Sequence, residues 1–228
     1  MMKLFIAAAA LAVSFTTALN TRLAAEPSSS DLYAKRYENN KNYCGEVETI
    51  PRESFIVFQN RNGADKRVGW CIAVTSSSKN DVSWYAQLNA DDSLKPSPVN
   101  LTANVALKYN TIVLYVVTSI KTMMKYEYIA GPGVIANVAY NLEMNTEFQT
   151  NTGVQYFIRV WINALGGNIP YGDTVPGKGL IVSNVAYDLY IGNHNGIRYI
   201  TYVATQPVTH FDDDLLVFIN ELKIQQIY

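Results

Sequence analysis

An all-β sandwich or barrel is the fold expected of this chain, for three reasons. From Tyr43 onward, short apolar runs recur between turn residues, the pattern of many short strands in one long domain. Tyrosine is frequent, 16 of 228 residues, and it stands among many Thr, Asn and Val; aromatic and β-branched side chains fit a pleated, half-buried surface. Apolar residues make up 49% and charged residues only 16%, so the chain can bury a core and is not a disordered one.

The order of elements begins with a removable leader. Met1-Met2-Lys3 is a short basic start, an apolar run follows over 4–15, and Thr16-Thr17-Ala18 supplies small residues for cleavage. Residues 1–18 are therefore expected to form a secretory signal peptide cut after Ala18, its apolar part too short to span a bilayer stably. Residues 19–42 are polar and unpatterned around Glu26-Pro27-Ser28-Ser29-Ser30, the composition of a flexible leader. A single domain is expected over 43–228. Its strands should lie near 55–58, 82–88, 112–117, 126–129, 134–144, 156–162, 182–191 and 199–204. Gly131-Pro132-Gly133, Gly166-Gly167 and Asn193-His194-Asn195-Gly196 mark turns between them. One segment breaks the β pattern: Leu215, Phe218, Ile219 and Leu222 share a face at helical spacing behind Asp212, Asp213 and Asp214. Acidic residues complement a helix N-terminus, so a single helix over 212–223 is expected on the β body. There is no internal repeat.

Charge and cysteine usage narrow the function. Lys and Arg total 18 against 19 Asp and Glu, with two His; this balance lacks the basic stripe of a nucleic-acid binder and gives no electrostatic reason to sit on an anionic membrane. No apolar run after the leader approaches the roughly 20 residues of a membrane span. Cys44 and Cys71 are the only pair, and in a secreted chain a disulfide is the default reading. The alternative, a metal site, falls short of four ligands because no His lies nearby; no metal and no cofactor is expected. Asn100-Leu101-Thr102 is an N-glycosylation sequon in a Pro-flanked, loop-like stretch. His194, in a turn, and His210, before the helix, read as surface residues. No nucleophile elbow, phosphate loop or zinc motif is present.

The strand over 154–162 divides by parity, because side chains alternate across a sheet. Val154, Tyr156, Ile158, Val160 and Ile162 form an apolar face that belongs to the core. Gln155, Phe157, Arg159 and Trp161 form the other face, amphipathic and aromatic. Such a face lines a sugar-binding groove in one reading; in the other it is a partly solvated outer surface with a snorkelling arginine.

The run Gln155-Tyr156-Phe157-Ile158-Arg159-Val160-Trp161-Ile162-Asn163-Ala164-Leu165-Gly166-Gly167 resembles the signature strand of glycoside hydrolase family 12. The resemblance extends over 43–225. Tyr43-Cys44-Gly45 with Cys71 is similar to the family's N-terminal disulfide, and 55–60 to its following strand. Met124-Lys125-Tyr126-Glu127-Tyr128 and Val138-Ala139-Tyr140-Asn141-Leu142 resemble two central strands. Tyr202-Val203-Ala204-Thr205 and the stretch 211–222 resemble the strand and helix near the family's end. The nearest likeness is to secreted xyloglucanases of oomycete plant pathogens. It implies a two-sheet β-jelly roll with one short helix near the C-terminus, here lacking the family's last strands.

Departures from the family pattern bear on the chemistry. Family 12 enzymes retain configuration, which needs two carboxyls about 5–5.5 Å apart, one nucleophile and one acid/base. By the resemblance the nucleophile position is Phe157 and the position of its supporting acid is Asn141. The acid/base lies in the family on a strand after the helix, in a Gly-Thr-Glu-Pro-Phe stretch that this chain does not reach. The family's groove aromatics are also reduced: Val47 and Thr49 stand at its Trp-x-Trp pair and Asn60-Arg61-Asn62 at its Asn-Leu-Trp, while Trp84 and Trp161 remain. Glu143 and Glu127 are the carboxylates nearest in pattern, and a lone Glu of this kind is far more often a solvated charge than a catalyst. The expectation is a degenerate, non-catalytic family member secreted into the host apoplast. Its expected partner is a host glucanase inhibitor protein of aspartic-protease-like fold, which it would titrate as a decoy, a virulence function. The alternative is a weak β-glucan or xyloglucan-binding protein without hydrolysis. The residues expected to make either contact are Gln155, Arg159, Trp161 and Trp84.

Overall fold

The structure is a computed structural model that describes residues 3–5, 16–17, 41–60, 69–89, 102–107, 111–127, 134–145, 156–177 and 179–224. In chain order the described strands are β1 (Lys3–Phe5), β2 (Thr16–Thr17), β3 (Val47–Pro51), β4 (Phe55–Asn60), β5 (Gly69–Ser77), β6 (Val82–Asn89), β7 (Thr102–Leu107), β8 (Thr111–Val113), β9 (Lys121–Lys125), β10 (Val134–Asn145), β11 (Tyr156–Leu165), β12 (Asp173–Thr174), β13 (Leu180–Val182), β14 (Val185–His194), β15 (Ile197–Ala204) and β16 (His210–Asp214). One helix, α1 (Leu216–Ile224), follows.

The largest sheet runs in the order β12-β14-β15-β11-β10-β1-β8, with β13 beside β14 and β2 beside β10. Its central strands obey parity. Val138, Tyr140, Leu142 and Met144 of β10, Ile158, Val160 and Ile162 of β11, Tyr187 and Leu189 of β14, and Ile200 and Tyr202 of β15 are all buried in one cluster. The second layer over this face is β9 paired with β16, together with α1. Phe211 of β16 sets its ring 5.2 Å from Tyr140, and Phe218 of α1 packs its ring against both Tyr187 and Tyr202. Two smaller sheets, β3-β4-β7 and β5-β6, enclose a second cluster of Ile50, Val57, Trp70, Ile72, Ala103, Val105 and Ala136.

The strand expectations hold in outline and differ at their ends. The run at 112–117 is a strand only to Val113 and then turns into one 3-10 turn over Leu114–Val116. The strand expected at 126–129 lies earlier, at β9, whose residues alternate between exposed and half-buried, with Met123 among the exposed ones. The single strand expected at 182–191 is a hairpin. Ser183 and Asn184 take positive φ of 47° and 65° and join β13 to β14 in the two-residue geometry that matches strand twist. Asn195 and Gly196 do the same between β14 and β15.

The three aspartates expected to open the helix are instead in β16, opposite β9. Asp214 nonetheless caps the helix: its Oδ1 accepts from the Leu216 N–H at 2.9 Å and from the Ile120 N–H at 2.7 Å. Burial pushes this carboxyl up, but those two N–H groups, the Ser119 side chain and Lys121 outweigh it and hold the group below its ordinary value. Leu215, Phe218, Ile219 and Leu222 are buried, the face that the sequence spacing predicts, and Leu216 is buried beside them.

Cys44 and Cys71 are joined, 27 residues apart. Beside the link, Tyr43 and Ile72 exchange backbone hydrogen bonds of 2.9 Å, and Gln59 Nε2 donates to the carbonyls of Tyr43 and Gly45. Lys3–Phe5 is hydrogen-bonded between β10 and β8, and Thr16–Thr17 lies beside Val134 and Ile135; both pieces fall within the segment expected to be removed on secretion. Most of the expected leader over 19–42 lies outside the described residues.

Candidate functional site

The face of the large sheet opposite its core gathers the candidate residues in three rows, fixed by strand register. The first row is Glu143 of β10, Phe157 of β11, Tyr199 of β15 and Gly192 of β14. The second is Asn141, Arg159, Thr201 and Tyr190. The third is Ala139, Trp161, Val203 and Asp188. Pairing of β11 with β15 is parallel, which stacks Phe157 beside Tyr199 with ring centroids 5.7 Å apart and planes 15° from parallel. The guanidinium of Arg159 lies 4.7 Å from the Phe157 ring and 5.0 Å from the Tyr199 ring, within range of cation–π attraction.

The rows differ in access. Glu143, Phe157, Arg159 and Tyr199 are half-buried, whereas Ala139 and Thr201 are fully buried and Trp161 is 3% exposed. The face is therefore open at the Glu143–Phe157–Tyr199 end and closed over Ala139 and Trp161, while Asp188 at the β14 side of that row is exposed. Tyr171, just before β12, extends the open end: its ring lies 5.4 Å from both Tyr199 and His194. Gly192 makes that possible, since a Cβ there would stand 2.7 Å from the Tyr171 ring. The Tyr171 hydroxyl donates to the Asn193 carbonyl at 2.9 Å.

Electrostatics are set by one cation and one carboxyl. Burial lowers the Arg159 pKa from its ordinary value, against the opposing pull of Tyr199 and Glu143. Burial raises the Glu143 carboxyl, and Arg159 only partly offsets it. The buried Arg159 Nε has no hydrogen-bond partner. On this face Asp188 is the other described carboxyl. It is three strands across and four residues along from Glu143, so the separation exceeds the about 14 Å that strand spacing alone gives, well beyond the roughly 5–5.5 Å of a retaining pair or the 6.5–9.5 Å of an inverting one. Phe157, directly across from Glu143, offers no oxygen.

The expected contact residues are thus partly brought together. Phe157, Asn141, Arg159 and Trp161 share the face, although Trp161 is a buried wall rather than a platform. Trp84 is elsewhere, on β6 against the second hydrophobic cluster. Glu127 lies just past β9, in the opposite layer rather than on a strand beside Asn141. Gln155 and Asn100 lie outside the described residues. Sequence reading missed Tyr199 and Tyr171. The first was available from the parity of β15, the second only from the folded approach over Gly192. Among the described residues no group of three or more His, Cys, Asp or Glu could hold a metal ion, and no helix is long and apolar enough to cross a membrane.

The family model for glycosyl hydrolase family 12 matches residues 53–228. The chain belongs to this family. It is 29% identical over 187 residues to a xyloglucan-specific endo-beta-1,4-glucanase A of Emericella nidulans, covering 81% of this chain and 76% of that protein. It is 27% identical over 192 residues to a Phytophthora nicotianae protein named inactive glycoside hydrolase XLP1, covering 82% and 78%. Among solved structures, the catalytic domain of Humicola grisea Cel12A superposes with a TM-score of 0.66 at 19% identity, over 82% of this chain and 84% of that one. The architecture is accordingly the β-jelly roll of family 12. On the face opposite the core, Phe157 and Arg159 stand in the first half of β11, the strand that the sequence resemblance marks as catalytic.

Proposed function

We propose that this chain is a secreted, non-catalytic family 12 protein that acts by binding a proteinaceous glucanase inhibitor and so protects an active relative. The observation that carries the reading is the stack of Phe157, Arg159 and Tyr199 at the open end of this face, at the position that the family resemblance gives to the nucleophile. A retaining mechanism needs a nucleophile and an acid/base working as a unit, and the rest of the machinery does not replace a missing member. Glu143 alone supplies neither the second carboxyl nor the spacing. Likeness to a relative that carries the word inactive in its name supports the same direction. The apolar leader of 1–18 and the Cys44–Cys71 disulfide support export to an oxidising compartment, and the host apoplast is the place where such an inhibitor would be met.

A decoy works by mass action: it must match or exceed the active enzyme in affinity or abundance, because occupancy follows free concentration. The test mixes an active family 12 xyloglucanase, an apoplastic inhibitor of that enzyme and increasing amounts of this protein. Xyloglucan hydrolysis should recover in proportion to the added protein. No recovery at a large molar excess would refute the reading for that inhibitor. The second reading, weak β-glucan binding, is favoured by the exposed Tyr171 and the neighbouring Tyr199 ring. Retention on insoluble glucan without recovery of the inhibited enzyme would select it.

A further inference from the structure

The cation on this face has no ion-pair partner among the described residues. Arg159 is held by β11, with its guanidinium against the Phe157 and Tyr199 rings, and its buried Nε lacks an acceptor. Burying a guanidinium is costly unless its charge is matched, and cation–π attraction from two rings offsets only part of that cost. Glu143, the diagonal neighbour, influences Arg159 electrostatically without forming an ion pair. Around this charge, Phe157, Tyr199 and Tyr171 form a continuous band of rings from β11 across β15 to the segment before β12. Tyr171 is 46% exposed, so the band ends in open, stackable ring surface.

We propose that this end of the groove binds an acidic pyranose, a uronate residue of a polysaccharide, with its carboxylate on Arg159 and its ring face on the exposed Tyr171 at the end of the aromatic band. The buried Nε is out of a ligand's reach, but the terminal guanidinium nitrogens are not among the buried unpartnered atoms, and a carboxylate there meets the guanidinium in the planar geometry that it matches best. A neutral glucan could stack on the same rings but would leave the arginine unmatched. An acidic peptide could meet the arginine but has no flat ring for the band. The site goes beyond the decoy reading, because it holds whether or not a protein inhibitor also engages the protein.

The test is titration of the purified protein with trigalacturonate and with cellotriose, at low and high salt, followed by calorimetry and by Tyr-ring NMR signals. Trigalacturonate should bind at least tenfold more tightly than cellotriose at low salt, a difference of about 1.4 kcal/mol, and lose most of that advantage at high salt. Arg159→Gln should remove the preference while leaving any cellotriose binding in place, and Arg159→Lys should keep part of it. Tyr171→Ala, at an exposed position, should weaken both sugars and needs no change in the core. Equal binding of the two sugars, an unchanged preference in Arg159→Gln, or displacement of trigalacturonate by an oligo-aspartate peptide at equal charge concentration would each overturn the proposal.

Discussion

Replacing Cys44 and Cys71 together by serine should destabilise the domain chiefly through its unfolded state. The link closes a loop of 27 residues, and the chain-entropy relation gives about 3.5 kcal/mol at 25 °C for a loop of that length. Little else is lost in the folded state. Cys44 is exposed and Cys71 half-buried, so serine removes little apolar contact. The Tyr43–Ile72 backbone pair and the two Gln59 hydrogen bonds continue to hold the strand ends. For a domain of this size each kcal/mol moves the melting temperature by about 2–4 °C, so the expected drop is about 7–14 °C. Urea denaturation of the oxidised wild type and the double variant, with matched m-values, measures the free energy directly. A loss under about 1 kcal/mol with unchanged m would refute the entropic account. A large drop in m would mean that the link shapes the compactness of one of the two states instead.

Other substitutions test the packing and the charges. Phe218→Ala should cost about 3–5 kcal/mol, because its fully buried ring meets Tyr187, Tyr202 and Phe211; a loss below 1.5 kcal/mol in urea unfolding would contradict the helix docking. Asp214→Ala should cost about 1 kcal/mol at neutral pH, the usual worth of a helix cap. Because its folded carboxyl is held below the ordinary value, that stabilisation is present above the ordinary carboxylate range. It fades as pH falls through the folded value, so the wild-type and variant curves should converge in acid. Glu143 has the opposite sign. Its carboxyl is raised in the fold, so it favours folding below its ordinary value and ceases to as pH rises through the folded one. Glu143→Gln should therefore gain stability over wild type above that window and lose the advantage in acid; a variant less stable than wild type at neutral pH would place Glu143 in an ion pair that the geometry lacks.

Much of the β body was legible because strand parity is a strict code. The alternation over 154–162 sorted Ile158, Val160 and Ile162 to the core and Phe157, Arg159 and Trp161 to the opposite face, as the register bears out. The helix face was legible for the same reason at period 3.6. Its start was not: Asp212–Asp214 look like helix-opening acids, but β9 offers backbone partners that draw them into β16, leaving Asp214 to cap from the strand's end. The hairpin at Ser183-Asn184 was hidden because neither residue is glycine, although asparagine tolerates the left-handed region. The groove was half legible. Residues on one strand could be assigned a face, but which neighbour lies beside them depends on long-range pairing. Nothing local places Tyr199 beside Phe157, or lays Tyr171 over Gly192. Trp84 was grouped with the groove aromatics through the family resemblance; its strand pairs with β5, in a sheet separate from that of Phe157 and Arg159.

The most direct test of a groove without hydrolytic chemistry is reducing-end release from xyloglucan by the purified protein, beside its Glu143→Gln variant and an active family 12 enzyme. Wild type and variant should both remain at the substrate blank over a time course in which the active enzyme exhausts the polymer. Release by the wild type that Glu143→Gln abolishes would contradict the central claim, making Glu143 a working carboxylate and the Phe157–Arg159–Tyr199 stack compatible with catalysis.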